Sequence, residues 1–139
     1  MKKKRIWVIM VVAAVLVAAG IGLVSGRKGN VSRVQRSICE SQRYTEAEIS
    51  AAMDAVEAYF ENEFECCILL ELSYDETSDD RSSEWAQKYG SDRVMVLISQ
   101  FYVTSDAEPC WNFEETYGNF MWIMREDQDG NWEHIDHGY

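Results

Sequence analysis

One uncharged, apolar run near the amino terminus constrains this chain more than any other feature of its sequence. It extends from Ile6 to Val24 and directly follows a basic cluster at residues 2–5. A helix rises about 1.5 Å per residue, so a run of this length spans about 28 Å, close to the hydrocarbon thickness of a bilayer. We therefore predict a single transmembrane helix at residues 6–24, with the lipid bilayer as its partner and a globular domain after it.

The flanks of this run predict its orientation. The contiguous basic cluster in front of it favours a cytoplasmic amino terminus, which places the carboxyl-terminal domain outside the cytoplasm. A cleaved signal peptide is the open alternative, because Ala18-Ala19-Gly20 suits a cleavage site, whereas the continuation of the run to Val24 favours a retained anchor. Residues 25–43 contain glycine, serine and basic residues without apolar periodicity, and we predict that they form a tether.

The charge of the chain is sharply divided. Residues 40–139 hold all 24 acidic residues and five of the 13 basic ones, which gives this part a net charge of −19. A field of that sign repels phosphate backbones, so we expect no nucleic-acid partner. The sequence also lacks a phosphate-binding glycine loop, a nucleophile elbow and a zinc-protease helix motif, so no cofactor and no catalytic residue is predicted from motifs.

A long amphipathic helix is the clearest element of the domain. Thr45 and Glu48 have the spacing of a capping box. Behind them, apolar residues recur at steps of three and four, which places them on one stripe of a helix from about Glu46 to Phe64. The residues of this stripe are Ile49, Met53, Val56, Phe60 and Phe64.

The remaining elements are four strands and a short helix. The strands are predicted at Cys66–Tyr74, Arg93–Thr104, Tyr117–Glu126 and Asn131–Asp136, and the helix runs from Ser82 or Ser83 to Tyr89. Asp129-Gly130 predicts a tight hairpin between the last two strands, with a loop of either two or four residues. We therefore predict an α+β domain at residues 44–139, in which the long helix packs on one face of a four-stranded antiparallel sheet.

Five short motifs lie on or beside these elements, and they are Tyr44-Thr45-Glu46, Glu84-Trp85-Ala86, Trp122-Ile123, Asn131-Trp132-Glu133 and Gly138-Tyr139. With these motifs, the order of elements resembles the small cystatin-like or nuclear-transport-factor-two-like α+β domains found in uncharacterised, membrane-anchored bacterial proteins. The resemblance covers about 95 residues, and it implies a long helix across an antiparallel sheet. It implies no catalytic residue, because members of this broad fold include enzymes, ligand binders and scaffolds.

A candidate ligand-binding surface lies on the sheet face that the long helix does not cover. Both predicted hairpin loops place the same six residues on this face, which are Met121, Ile123, Arg125, Trp132, His134 and Asp136. Three alternatives are open for this apolar face with polar groups at its edge. The short helix with Trp85 and Tyr89 covers it, a second subunit covers it in a homodimer, or it forms a ligand pocket.

The predicted function follows from this surface. We expect an extracytoplasmic domain that binds a small ligand or a protein partner through the face around Trp132. A small hydrolase or isomerase that uses His134 and Asp136 as an acid–base pair is one alternative. A structural spacer without a ligand is the other.

The metal-ligating residue types do not form a metal site by spacing. His134 and Asp136 are predicted to share a face while His137 alternates away, and no third ligand follows from the sequence. The four cysteines, which are Cys39, Cys66, Cys67 and Cys110, allow a disulfide in an oxidising exterior, for instance from Cys110 to a strand cysteine. Buried reduced thiols are the alternative.

Overall fold

The computed structural model describes residues 28–104 and 112–139. Within them the elements follow in the order β1 (Gln35–Ile38), α1 (Glu46–Glu63), β2 (Cys67–Tyr74), α2 (Glu76–Asp79), α3 (Ser82–Tyr89), β3 (Val94–Val103), β4 (Thr116–Glu126) and β5 (Trp132–Gly138). The predicted α+β class is confirmed. None of the helices in these residues has the length and apolar character needed to cross a bilayer, and the predicted transmembrane segment at residues 6–24 lies outside them.

The strands form one mixed sheet with the order β1-β2-β3-β4-β5. Strand β1 is parallel to β2, whereas the other three neighbouring pairs are antiparallel. The prediction of four strands, all antiparallel, is therefore wrong at one edge of the sheet. The additional strand lies in the segment predicted as a tether, and it was missed because its sequence, Gln-Arg-Ser-Ile, has no apolar periodicity.

The segment around β1 is fastened to the body of the domain. The Gly29 amide donates to the Glu61 carbonyl at 3.0 Å, and a Cβ at Gly29 would lie 2.3 Å from the Phe60 carbonyl oxygen, so only glycine fits there. The Arg36 guanidinium donates to Asp54 at 2.6 Å and to Glu57 at 2.7 Å. These contacts attach β1 to α1 as well as to the sheet.

Helix α1 begins as its capping box predicts and packs on one face of the sheet. The Glu48 amide donates to Thr45 Oγ1 at 3.2 Å, and the Thr45 amide donates to Glu48 Oε2 at 2.8 Å. Four of the five stripe residues lie within the helix and are at most 1% exposed, and these are Ile49, Met53, Val56 and Phe60. The fifth, Phe64, is the C-cap residue. The facing side chains include Leu69, Leu72, Leu97 and Trp122.

The opposite face of the sheet is covered over part of its length by the short helix α3. Val94, Val96 and Ile123 are buried there, and Trp85 and Ala86 of α3 pack against them. Of the three alternatives for this face, coverage by the short helix is therefore the one found at this end of the sheet. Helix α3 ends at Tyr89 and is capped by Gly90, whose φ of 64° suits a residue without a side chain.

Candidate functional site

The turn between β4 and β5 decides where the predicted site residues lie. Glu126 pairs with Trp132, so the loop has five residues, at 127–131, where two or four were predicted. Asp127 closes it, because its Oδ1 accepts from the amides of Asp129 and Asn131 at 2.9 Å each. Both predicted registers are wrong by one residue, and a slip of one residue moves each side chain to the other face.

A bulge at Ile135 reverses the faces again within β5. His134 pairs with Met124 while Asp136 pairs with Ile123, so Ile135 is the extra residue. Trp132 and His134 therefore lie on the α1 face of the sheet, and Asp136 lies on the α3 face. Beyond the bulge, His137 returns to the α1 face, opposite Trp122.

The six predicted ligand-binding residues are consequently not brought together. Trp132 is 8% exposed, lies 5.5 Å from the Tyr44 ring between ring centroids, and has the Arg93 guanidinium 5.7 Å from its own centroid. It belongs to the core under α1, so the prediction of an open surface around it is wrong.

Apart from Trp132 and His134, the predicted residues lie on the α3 face, but these four do not form one cluster. Ile123 is buried under α3, and Met121 lies at the margin of that helix. Arg125 donates to Glu133 at 2.7 Å. Asp136 accepts from the Tyr89 hydroxyl at 2.8 Å.

The proposed acid–base pair is not assembled. His134 Nε2 lies 2.9 Å from His137 Nδ1, and the His134 ring lies 3.9 Å from the Tyr59 ring between centroids. Burial, together with the neighbouring His137, lowers the pKa of His134 to about 4, so its imidazole is neutral at pH 7. The Tyr89 hydroxyl holds the pKa of Asp136 below its usual value, on the opposite face.

The histidine pair does not extend to a metal centre. Across residues 28–104 and 112–139, no three His, Cys, Asp or Glu side chains converge as ligands. Cys39 is exposed, Cys66 is half-buried and Cys67 is buried. Cys110 lies outside the described residues, so the disulfide remains a prediction.

Asp79 is a buried carboxylate that sequence reasoning missed. It is 1% exposed, and its Oδ2 accepts from Arg43 Nη1 at 2.9 Å and from the Tyr74 hydroxyl at 3.1 Å. Its Oδ1 accepts from the Val96 amide at 3.0 Å. Burial raises the pKa of Asp79. No local pattern in the sequence distinguishes the buried Asp79 from Asp80, which is exposed.

The part of the α3 face that α3 leaves uncovered forms an open groove. Two adjoining clefts, of about 380 and 480 Å³, share Ile98 and Asn119. We call them together the sheet groove. The first cleft is also lined by Thr77, Ser78, Arg81 and Met121, and the second by Glu71, Ser73, Ser99, Gln100, Thr116 and Gly118.

Two bulges flank the strand that runs through the sheet groove. On β2 the register skips Leu70, and on β4 it skips Gly118 and Asn119, in both cases beside Gln100. Asn119 has a φ of 55°, a conformation that asparagine tolerates better than most residues. Bulges interrupt the ladder and redirect side chains, which is why they recur beside binding and active sites.

Arg81 gives the sheet groove its charge. Of the five basic residues after residue 40, Arg43, Lys88, Arg93 and Arg125 each lie within 4.0 Å of a carboxylate. Among the described residues Arg81 has no such partner, and its Nη1 lies 3.5 Å from the Met121 sulfur. In a domain with a net charge of −19, this exposed guanidinium is a local positive site.

A third cleft, near the start of α1, lacks such a site. It measures about 470 Å³, and Ser41 and Tyr44 line it together with Glu40 and Glu46. Ser41 Oγ accepts from the Arg43 amide at 3.0 Å and from the Tyr44 amide at 3.2 Å, so its hydroxyl serves the local turn. The sheet groove is therefore the stronger candidate.

Comparison with known proteins adds no functional assignment. No protein-family model matches the chain, and no similar curated protein or solved structure was found. The resemblance to cystatin-like and nuclear-transport-factor-two-like domains accordingly remains a prediction, and the geometry of the sheet groove is the basis for inferring a function.

Proposed function

We propose that this chain is a membrane-anchored, extracytoplasmic binding domain that captures a small carboxylate-bearing ligand in the sheet groove. The observation that carries the proposal is the exposed Arg81 guanidinium, which has no carboxylate partner among the described residues and borders an open cleft. A guanidinium presents its donors in a planar fork that matches a carboxylate. Ile98 and Met121 supply apolar contact beneath it.

The magnitudes place the affinity of this site in a weak range. A hydrogen bond to a charged group contributes about 1.5–3 kcal/mol, and an exposed ion pair contributes about 0.2–1 kcal/mol. A few such contacts in an open groove correspond to a dissociation constant of about 1 mM, or −4.1 kcal/mol. The surrounding negative charge opposes any ligand with several negative charges, so we expect small monocarboxylates or short peptides.

An NMR titration tests the binding proposal. The full chain in detergent is titrated with acetate, pyruvate and trialanine, each to about 10 mM, above the expected dissociation constant. We expect amide shifts at Ser73, Ile98 and Asn119, and the dissociation constants obtained from them should rise in Arg81→Gln. Arg125→Gln is the matched control, because Arg125 lies on the same face but is paired with Glu133. If none of these probes shifts the groove amides, the domain is a spacer without a carboxylate site.

The location of the domain is tested separately. The apolar run at residues 6–24 and the basic cluster before it support a retained anchor with the domain outside. A protease added to intact cells should then degrade the domain while a cytoplasmic marker survives. Recovery of the whole chain in the soluble cytosolic fraction would contradict this location.

A further inference from the structure

The sheet groove carries opposite charges at its two ends. Arg81 borders the cleft beside Met121, and Glu71 borders the cleft beside Gln100. Both side chains are exposed, and no ion pair of Glu71 is found in the part of the chain that the structure describes. A ligand that matches both ends therefore needs one negative and one positive group.

The sheet geometry sets the distance between those groups. Glu71 pairs with Gln100, and Met121 pairs with Ile98, so the two ends lie two strands apart and two residues apart along β3. Strands are about 4.8 Å apart and rise about 3.3 Å per residue, which gives about 10 Å across, about 7 Å along and about 12 Å in total. The Arg81 Nη1 lies 3.5 Å from the Met121 sulfur, and the Glu71 side chain stands roughly perpendicular to its strand, so the two charges keep a similar separation.

A short peptide with free termini has this length. An extended chain spans about 3.3–3.6 Å per residue, so about three residues separate an ammonium from a carboxylate by about 10–11 Å. We propose that the sheet groove binds a free peptide of about three residues, with its carboxylate on Arg81 and its ammonium on Glu71. This inference rests on the proposed function, because it assigns a ligand class to the same groove.

The lining of the groove suits a peptide main chain. Gln100, Thr116 and Asn119 supply hydroxyl and amide groups that can both donate and accept hydrogen bonds, as a peptide requires. The Ser73 hydroxyl donates to the Ile98 carbonyl at 3.3 Å and can still accept a hydrogen bond. Such a peptide is also neutral overall, so the net charge of −19 does not repel it as it would an anion.

Capped peptides test the assignment of the two ends. Trialanine, trialanine amide and N-acetyl-trialanine are titrated against the full chain in detergent, with the groove amides as the readout. Removing a charge from either end of the peptide should weaken binding about fivefold or more, which corresponds to about 1 kcal/mol. Arg81→Gln should weaken the binding of trialanine to a similar extent but leave the affinity for trialanine amide unchanged. Glu71→Gln should likewise weaken the binding of trialanine but leave the affinity for N-acetyl-trialanine unchanged.

Two results overturn the inference in different ways. If the capped peptides bind as tightly as trialanine, or if Glu71→Gln has no effect, the assignment of the ends is wrong while carboxylate binding in the groove stands. If acetate, pyruvate and all three peptides leave the groove amides unshifted, the proposed function fails as well. Glu84→Gln on α3 is the matched acidic control, since Glu84 is exposed and does not line the groove. Thermal unfolding of each variant checks that the fold is retained.

Discussion

Replacing Asp79 with alanine should lower the free energy of unfolding by about 2–4 kcal/mol, chiefly because one backbone amide loses its acceptor. The β2–β3 ladder ends at the pair Ser73–Ile98, so Val96 lies beyond it and donates its amide to Asp79 Oδ1 instead. A buried amide without a partner costs about 1–3 kcal/mol, and the lost bond from the Tyr74 hydroxyl adds about 1 kcal/mol.

The ion pair between Asp79 and Arg43 should contribute less to the free energy of unfolding than the hydrogen bond from the Val96 amide does. The side chain of Arg43 is 43% exposed, so its guanidinium regains water when Asp79 is removed. Asp79→Asn keeps an acceptor for the Val96 amide, and we therefore expect it to cost about 1 kcal/mol. Asp80→Ala is the control. The side chain of Asp80 is exposed, so its removal should change the free energy of unfolding by no more than about 0.5 kcal/mol.

Chemical unfolding of the full chain in detergent, followed by tryptophan fluorescence, measures these differences. Hydrogen exchange adds a local readout, because only Asp79→Ala should lose protection at the Val96 amide. If Asp79→Asn destabilises the domain as much as Asp79→Ala does, the ion pair dominates and the reasoning from the amide is refuted. A protected Val96 amide in Asp79→Ala would refute it equally.

Three further predictions concern the α1 face and the edge of the sheet. The folded state holds the pKa of His134 at about 4, below the ordinary 6.5, so its contribution to stability is complete above pH 6.5 and is lost as the pH falls towards 4. Because the His134 side chain is partly exposed to water, the loss should be about 1 kcal/mol. In unfolding curves recorded against pH the loss should be smaller in His134→Phe, and the remainder belongs to His137, whose pKa is also lowered by burial. Gly29→Ala should destabilise the domain by about 1–3 kcal/mol, since its Cβ would meet the Phe60 carbonyl at 2.3 Å, and hydrogen exchange should show the β1 amides opening first. In the native protein a thiol reagent should modify the exposed Cys39 rapidly and Cys67, which is 1% exposed, only on unfolding, and equal rates by mass spectrometry would contradict the packing of β2.

The sequence predicts those elements whose signals are local. The capping box of Thr45 and Glu48 and the apolar stripe both predict helix α1. Each of these signals depends on residues within one or two turns of each other. Strands β3 and β4 are long and rich in apolar residues, so their position is also predictable. Strand β1 is not, because its place depends on pairing with β2 and on Arg36, whose partners Asp54 and Glu57 lie on another element.

The errors at the candidate site arise from side-chain interactions that a pattern of alternation cannot represent. The carboxylate of Asp127 lengthens the turn to five residues, and the bulge at Ile135 then adds one more shift. The first moves Trp132 and His134 into the α1 face, and the second returns Asp136 to the face expected for it. An alternation pattern assumes that no residue is inserted, so each insertion inverts its result for every residue that follows.

The sheet groove remains open for a reason of length. Helices α2 and α3 have four and eight residues and span about 6 and 12 Å, whereas β3 has ten residues and spans about 33 Å, so the two helices together are shorter than the strand. The uncovered part must then face water or a ligand, and its side chains match that condition. Among the described residues that line it, Ser73, Gln100 and Thr116 are polar, whereas Ile98 and Met121 are apolar. A surface that buries a second subunit would carry a larger apolar centre. The composition of the groove therefore favours a small polar ligand over a homodimer.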